Sequence, residues 1–207
     1  IKTGTIFENS KLPLQKWFMA VYLLANNKKG ISTRQVAGYI GVTQKTAWMM
    51  LHKIRASMPQ SKEKMSGVVS IDECFVGGAN GNRHIDKKVK NNKGRNYKDK
   101  HTVQGFVDGD KKVKCVVLKG TQDDDIQPSV VSVIESGSTI ITDEYPSYVA
   151  LGSDYGGDYN HFTVNHKARK FMSPEGATTN PVENLWSHLK RMMYGTYNWI
   201  SYNHAQK

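Results

Sequence analysis

Apolar residues recur at helical spacing up to about Met65; beyond it they fall into short runs typical of strands. Over 14–25, Leu14, Trp17, Phe18, Val21, Leu24 and Ala25 lie at steps of three and four, which predicts a helix with one buried face. Residues 26–30, with two Asn and a Gly, end it. Ser32 then stands as N-cap of a short helix carrying Val36, Ala37 and Ile40. Gly41 supplies the turn, and Thr43 caps a longer helix reaching about Met58. Two helices joined through Gly41 make a helix-turn-helix pattern.

Past Met65, residues 68–76, 101–107, 112–118, 139–142 and 161–164 read as strands, and helices are expected around 126–135, 145–151 and 181–194. Three strands in an antiparallel meander, a helix, then further strands and helices predict an α/β fold on a mixed sheet. The expected division is a helical, helix-turn-helix-like DNA-binding region over 1–64 and a sheet-bearing domain over 65–207.

Charge sharpens this picture. Twenty-nine Lys and Arg against 18 Asp and Glu leave the 207-residue chain at +11, which points to an anionic partner. A hydrophobic fraction of 38% is too high for a disordered basic tail. No apolar run approaches the roughly 20 residues of a membrane span. The surplus concentrates in a long loop over 77–100, entered through Gly77, Gly78, Asn80, Gly81 and Asn82. It holds Arg83, Lys87, Lys88, Lys90, Lys93, Arg95, Lys98 and Lys100 against Asp86 and Asp99. Cys74 and Cys115 have no companions at metal-site spacing, so neither a disulfide framework nor a zinc module is expected. The chain opens at Ile1 with no secretory signal, and a reducing compartment fits.

Three constellations bear chemistry. The second helix of the helix-turn-helix pattern presents Gln44, Lys45, Thr46 and Trp48 near its start, where such modules meet a major groove, although a small helical domain would show the same spacing. Gln44 and Lys45 suit base edges and phosphates. Asp72 sits within an apolar strand and Asp143 ends another. Two carboxylates brought together from buried strands favour a hard divalent cation, whereas either one alone reads as the start of a turn. In 179–191, Val182, Leu185, Leu189 and Met192 form an apolar stripe beside a polar face of Asn180, Glu183, Ser187 and Lys190. Asn180 as N-cap, Pro181 at the first helical position and Glu183 three residues after the cap also make a capping box, which would occupy the Asn180 oxygen.

Converged carboxylates holding two divalent ions can activate an attacking oxygen and stabilise the leaving one at phosphorus. Lys190 would then hold a phosphate nearby. His161, His166 and the basic Lys167 and Arg169 are secondary candidates, as is the aromatic run Tyr194, Tyr197, Trp199 and Tyr202.

Several ordered motifs carry a resemblance: Thr3 to Phe7 leading to Leu14-Gln15-Lys16-Trp17, Ile71-Asp72-Glu73-Cys74-Phe75-Val76-Gly77-Gly78, Thr142-Asp143-Glu144-Tyr145, and Thr179-Asn180-Pro181-Val182-Glu183 through Trp186, Leu189-Lys190-Arg191 and Gly195-Thr196-Tyr197. On these the chain resembles the DDE-type insertion-sequence transposases of the Merlin-related group, with their ISXO-like transposase domain. The resemblance implies a ribonuclease H-like catalytic domain in which Asp72 and Asp143 bind two Mg2+ or Mn2+ ions. It implies that Asn180 takes the third acidic position, with Lys190 as the accompanying basic residue. Glu183 is the rival third ligand, since a carboxylate binds a hard cation better than an amide. Family members carry an N-terminal zinc ribbon and a longer C-terminal helix, so the resemblance implies a fragment of a longer protein with its C-terminus truncated.

The expected function is metal-dependent DNA cleavage and strand transfer on transposon ends and target DNA, by a homodimer or higher oligomer. The expected setting is the bacterial cytoplasm, with the nucleoid and no membrane. Lys87, Lys88, Lys90, Lys93, Arg95, Lys98, Lys167, Arg169 and Arg191 are the expected phosphate contacts. A hydrolytic nuclease or resolvase of the same fold, and a domesticated helix-turn-helix regulator, are the alternatives.

Overall fold

The computed structural model describes residues 2–58, 61–77, 80–90, 100–143, 146–148, 158–164, 178–198 and 200–205. Helix α1 (Leu14–Asn26) buries a stripe centred on Trp17 and Ala20, and the Trp17 indole N–H donates to Ser10 Oγ at 2.9 Å. Phe18 and Ala25, expected in that stripe, stay exposed. The contact is narrow, so residues at its margin turn outward, and Phe18 meets Phe7 edge-on. Helices α2 (Thr33–Ile40) and α3 (Gln44–Ala56) follow the expected turn chemistry. Ser32 and Gln35 form a complete capping box. Gly41 adopts a left-handed φ of 62°, which closes α2 without the Cβ penalty any other residue would meet. Thr43 accepts from the Thr46 backbone N–H at 3.2 Å. Val36, Ile40, Ala47, Met50, Leu51 and Ile54 complete this core.

The remaining elements build one sheet. Strands β1 (Val68–Val76), β2 (His101–Asp108) and β3 (Val113–Leu118) form an antiparallel meander. Helix α4 (Asp123–Val133) crosses to β4 (Thr139–Asp143), which pairs parallel to β1, and β5 (Asn160–Val164) pairs parallel to β4. The resulting order, β3-β2-β1-β4-β5, is the ribonuclease H-like mixed sheet that the sequence led us to expect. On one face Val69, Ile71, Phe106 and Ile140 pack against Ile126, Val130 and Val133 of α4. Helix α5 (Asn180–Met192) follows, continues into a π-helical turn at Met193–Tyr197, and precedes the short α6 (Tyr202–Ala205). Of the helix expected over 145–151, the described part is a single 3-10 turn at Pro146–Tyr148.

The chain divides into two compact units, one of residues 1–61 with 188–198, the other of 62–187 with 199–206. Within the first, Thr196 Oγ1 donates to the Lys29 carbonyl at 2.8 Å and Arg55 donates to the Tyr197 hydroxyl at 3.2 Å. Among the described residues no helix is long and apolar enough to cross a membrane.

Candidate active site

Asp72 and Glu73 are neighbours on β1, and the two-residue period of a strand sends them to opposite faces of the sheet. Glu73 shares the face of Val69 and Ile71, whereas Asp72 shares that of Ser70, whose hydroxyl donates to the Thr178 carbonyl at 3.1 Å. Across the ladder to β2, Asp72 stands opposite Gly105 and Glu73 opposite Gln104. Toward β4 the parallel pairs run Val68 with Thr139, Val69 with Ile140 and Ser70 with Ile141. The pairing ends there; continued at the same offset, it would put Asp72 level with Asp143, the last residue of β4.

The electrostatics agree with that register. Burial pushes the Asp72 carboxyl up to about 6, and the negative charges of Asp143 and Glu183 push the same way, against hydrogen bonds from the Glu73 backbone and Trp186. Acidic groups from β4 and α5 therefore act on the Asp72 carboxyl of β1.

Helix α5 brings the third. Its first turn is closed by Thr179, whose carbonyl accepts from the backbone N–H groups of Val182 and Glu183 at 3.1 Å. Thr179 Oγ1 donates to Glu183 Oε1 at 3.2 Å. The expected capping box on Asn180 is therefore not formed. Asn180 is the first residue of the helix itself, exposed, and its amide is not spent as a cap. Three residues beyond Glu183, the buried Trp186 donates its indole N–H to Asp72 Oδ2 at 2.9 Å. That ring lies against Gly105, where a Cβ would come within 2.5 Å of Trp186 Cη2 and 2.7 Å of Cζ2.

The opposite face treats its carboxylate differently. Glu73 accepts from the hydroxyl of the fully buried Tyr148, and Gln104 Nε2 donates to the same hydroxyl at 3.1 Å. Burial pushes Glu73 up to about 8, so it holds its proton at neutral pH. Beside it Thr142 Oγ1 and His161 Nε2 share a hydrogen bond of 2.8 Å, and burial lowers the His161 pKa. That bond gives His161 a structural partner.

Gln44 and Lys45 are exposed at the start of α3, Gln44 donating to Thr33 Oγ1 at 3.4 Å. One turn on, Trp48 is half exposed, its ring centroid 4.2 Å from that of His52. Lys87, Lys88 and Lys90 are exposed after the first loop turns, and Lys190 and Arg191 are exposed late in α5. Lys93, Arg95, Lys98, His166, Lys167 and Arg169 lie outside the described residues. Cys74 and Cys115 are not joined in a disulfide. Trp186 and Gly105 were not singled out by sequence reading as site residues, and neither was Glu73 apart from its motif.

Among the described residues no three His, Cys, Asp or Glu side chains are grouped closely enough to hold a metal by themselves. The available donors are two aspartates with an amide or carboxylate from α5, all hard oxygens. Such a set fits Mg2+, which binds through one or two carboxylates plus substrate phosphates rather than in a closed protein cage. Asp72, raised by burial among like charges, is a group a divalent cation would relieve.

A protein described only as an uncharacterized protein in transposable element ISH50, from Halobacterium salinarum, is 26% identical over 160 residues, covering 74% of this chain. The chain spans about half that relative's length, 54%. Among solved structures, a pre-cleavage Mos1 transpososome aligns with 95% of this chain and 70% of its own at 10% identity and a TM-score of 0.37. The Mos1 strand transfer complex aligns with 93% of this chain and 78% of its own at 11% identity and a TM-score of 0.28. The ISXO2-like transposase domain matches residues 64–207, the whole sheet-bearing part with both aspartates and α5, and the chain accordingly belongs to that DDE transposase family.

Proposed function

We propose that this chain catalyses metal-dependent DNA cleavage and strand transfer, with residues 65–207 as the catalytic domain and 1–64 as a DNA-binding region. The observation that supports the reading is the parallel pairing of β1 with β4, whose offset is that of Asp72 to Asp143, together with the bond from Trp186 of α5 to Asp72.

Asp72 and Asp143 would hold Mg2+ or Mn2+, two ions in all, with Asn180 or Glu183 from the first turn of α5 as the third ligand. Bound there, the ions would supply Lewis-acid stabilisation of the attacking and leaving oxygens of an in-line displacement at phosphorus. The chain's own residues do the rest. The two strands fix the aspartates from β1 and β4, and their half-buried setting strengthens each electrostatic contact. Glu183 is supported as a ligand by its charge acting on Asp72, and Asn180 by an amide not used as a cap. Lys190 holds a phosphate of the bound strand. Lys87, Lys88, Lys90 and Arg191, with Lys93, Arg95, Lys98, Lys167 and Arg169, neutralise the backbone, while Gln44 and Lys45 meet the groove.

Cutting two transposon ends in concert calls for a homodimer or larger assembly on DNA. Work on chromosomal DNA places the protein with the nucleoid in the cytoplasm, and the relative from Halobacterium salinarum widens the expected bacterial setting to archaea. The test is a strand-transfer assay with pre-cut ends in Mg2+. Joined product from the parent chain and none in chelator supports the reading. Cleavage without joining would make the chain a hydrolase, and DNA binding indifferent to Mg2+ would make it a regulator. Replacing Asn180 and Glu183 separately by Ala identifies the third ligand by which loss abolishes joining.

A further inference from the structure

We propose that Trp186 is a positioning residue for the metal site, fixing the orientation of the Asp72 carboxylate through its indole N–H and tying the ligand-bearing turn of α5 to β1. This rests on the reading of Asp72 as a metal ligand.

The indole N–H is a donor only, and it is committed to Asp72 Oδ2 at 2.9 Å across 114 residues of sequence. A carboxylate on a strand is otherwise free to rotate about its terminal torsion, which is broad. Together with the hydrogen bond from the Glu73 backbone, the directed bond from Trp186 removes that freedom and fixes Oδ2 toward the indole. Because Trp186 lies one helical turn beyond Glu183, the same bond fixes the start of the helix that offers the third ligand.

The sheet is adapted to seat this ring. Gly105 is the ladder partner of Asp72, and its backbone has no positive φ that would call for glycine. What calls for it is proximity: a Cβ there would overlap two carbons of the indole and come within 3.1 Å of Leu185 Cδ2. A tryptophan serving only as core filling needs neither its N–H placed on a carboxylate nor a bare backbone beneath it. Partners of this kind outside the ligand shell orient a ligand, and their loss typically weakens metal binding roughly 10–100-fold.

The experiment is calorimetric titration of Mn2+ into the full 207-residue chain, comparing the parent with Trp186→Phe, Gly105→Ala and Asp72→Asn, with circular dichroism confirming the fold. Phenylalanine keeps an aromatic ring and loses only the donor. Trp186→Phe should bind Mn2+ roughly 10–100-fold more weakly, and strand transfer by it should recover as Mn2+ is raised, which a merely structural defect would not do. Parent-like Mn2+ affinity in folded Trp186→Phe overturns the proposal. Should that variant not fold, Gly105→Ala, which keeps the indole but displaces it, should show the same weakening, and parent-like affinity there overturns the proposal equally. Asp72→Asn separates the underlying reading: if it binds Mn2+ as the parent does, Asp72 is no ligand, whatever Trp186 does.

Discussion

Asp72 and Glu73 are adjacent, chemically alike and both raised by burial, yet the two faces of the sheet use them in opposite ways. Glu73 is neutralised one-to-one: it keeps its proton and accepts from Tyr148, which Gln104 also engages. Asp72 feels Asp143 from β4 and Glu183 from α5, and its hydrogen bonds come from the Glu73 backbone and from Trp186, which holds one oxygen. A buried carboxyl that serves the fold is closed off by neutral partners. One that serves chemistry is left an excess of negative charge for a cation to meet.

The largest break in the comparison should come from Asp72→Asn. It should lower strand transfer by on the order of 1000-fold, the scale of losing one preorganised electrostatic contact at a transition state, while the melting temperature holds or rises. Tyr148→Phe should behave the other way, costing about 1–3 kcal/mol in denaturant unfolding as Glu73 loses its donor and leaving strand transfer near the parent level.

The pH dependence of stability sharpens the same contrast. Glu73 goes from 4.5 in its ordinary state to about 8 in the folded chain, so folding takes up a proton between those values. Its contribution to stability is full below 4.5 and is lost as pH rises through about 8. Asp72 does the same in a lower window, from 3.8 to about 6. Thermal melting across pH should therefore lose its downward slope near pH 7–8 in Glu73→Gln and keep it in Asp72→Asn, which flattens only the lower window. The smallest effect is expected away from both faces. Changing Lys87, Lys88 and Lys90 together to Gln should lessen the slope of log affinity against log salt by about 0.9 per lost phosphate contact, with the metal requirement unchanged.

Much of the fold was legible because local chemistry and tertiary structure agree. The apolar run of β1 lies on a strand flanked on both sides, and Ser32, Gly41 and Thr43 sit where helix caps and turns require them. The cap of α5 is ambiguous in the sequence because Thr178, Thr179 and Asn180 are all cap-forming residues in a row. Pro181 fits either of the first helical positions, and the helix began one residue earlier than its proline suggested. Phe18 lies outside the buried stripe because a helical pattern does not reveal how wide its contact is. Asp72 and Asp143 stand out as carboxylates on apolar strands, and the offset of the β1–β4 pairing is the offset between them. The roles of Trp186 and Gly105 were not legible, since they meet Asp72 only through α5 docking and through pairing with β2. Alternation alone shows that Asp72 and Glu73 point apart, but not which of the two faces α5.

The most direct test of the account places Asp72→Asn and Glu73→Gln side by side in one strand-transfer assay with pre-cut ends and Mg2+. The account predicts that Asp72→Asn yields no joined product while Glu73→Gln joins at close to the parent rate. Joining by Asp72→Asn at the parent rate, or equal loss in both variants, would contradict the division of labour between the two faces.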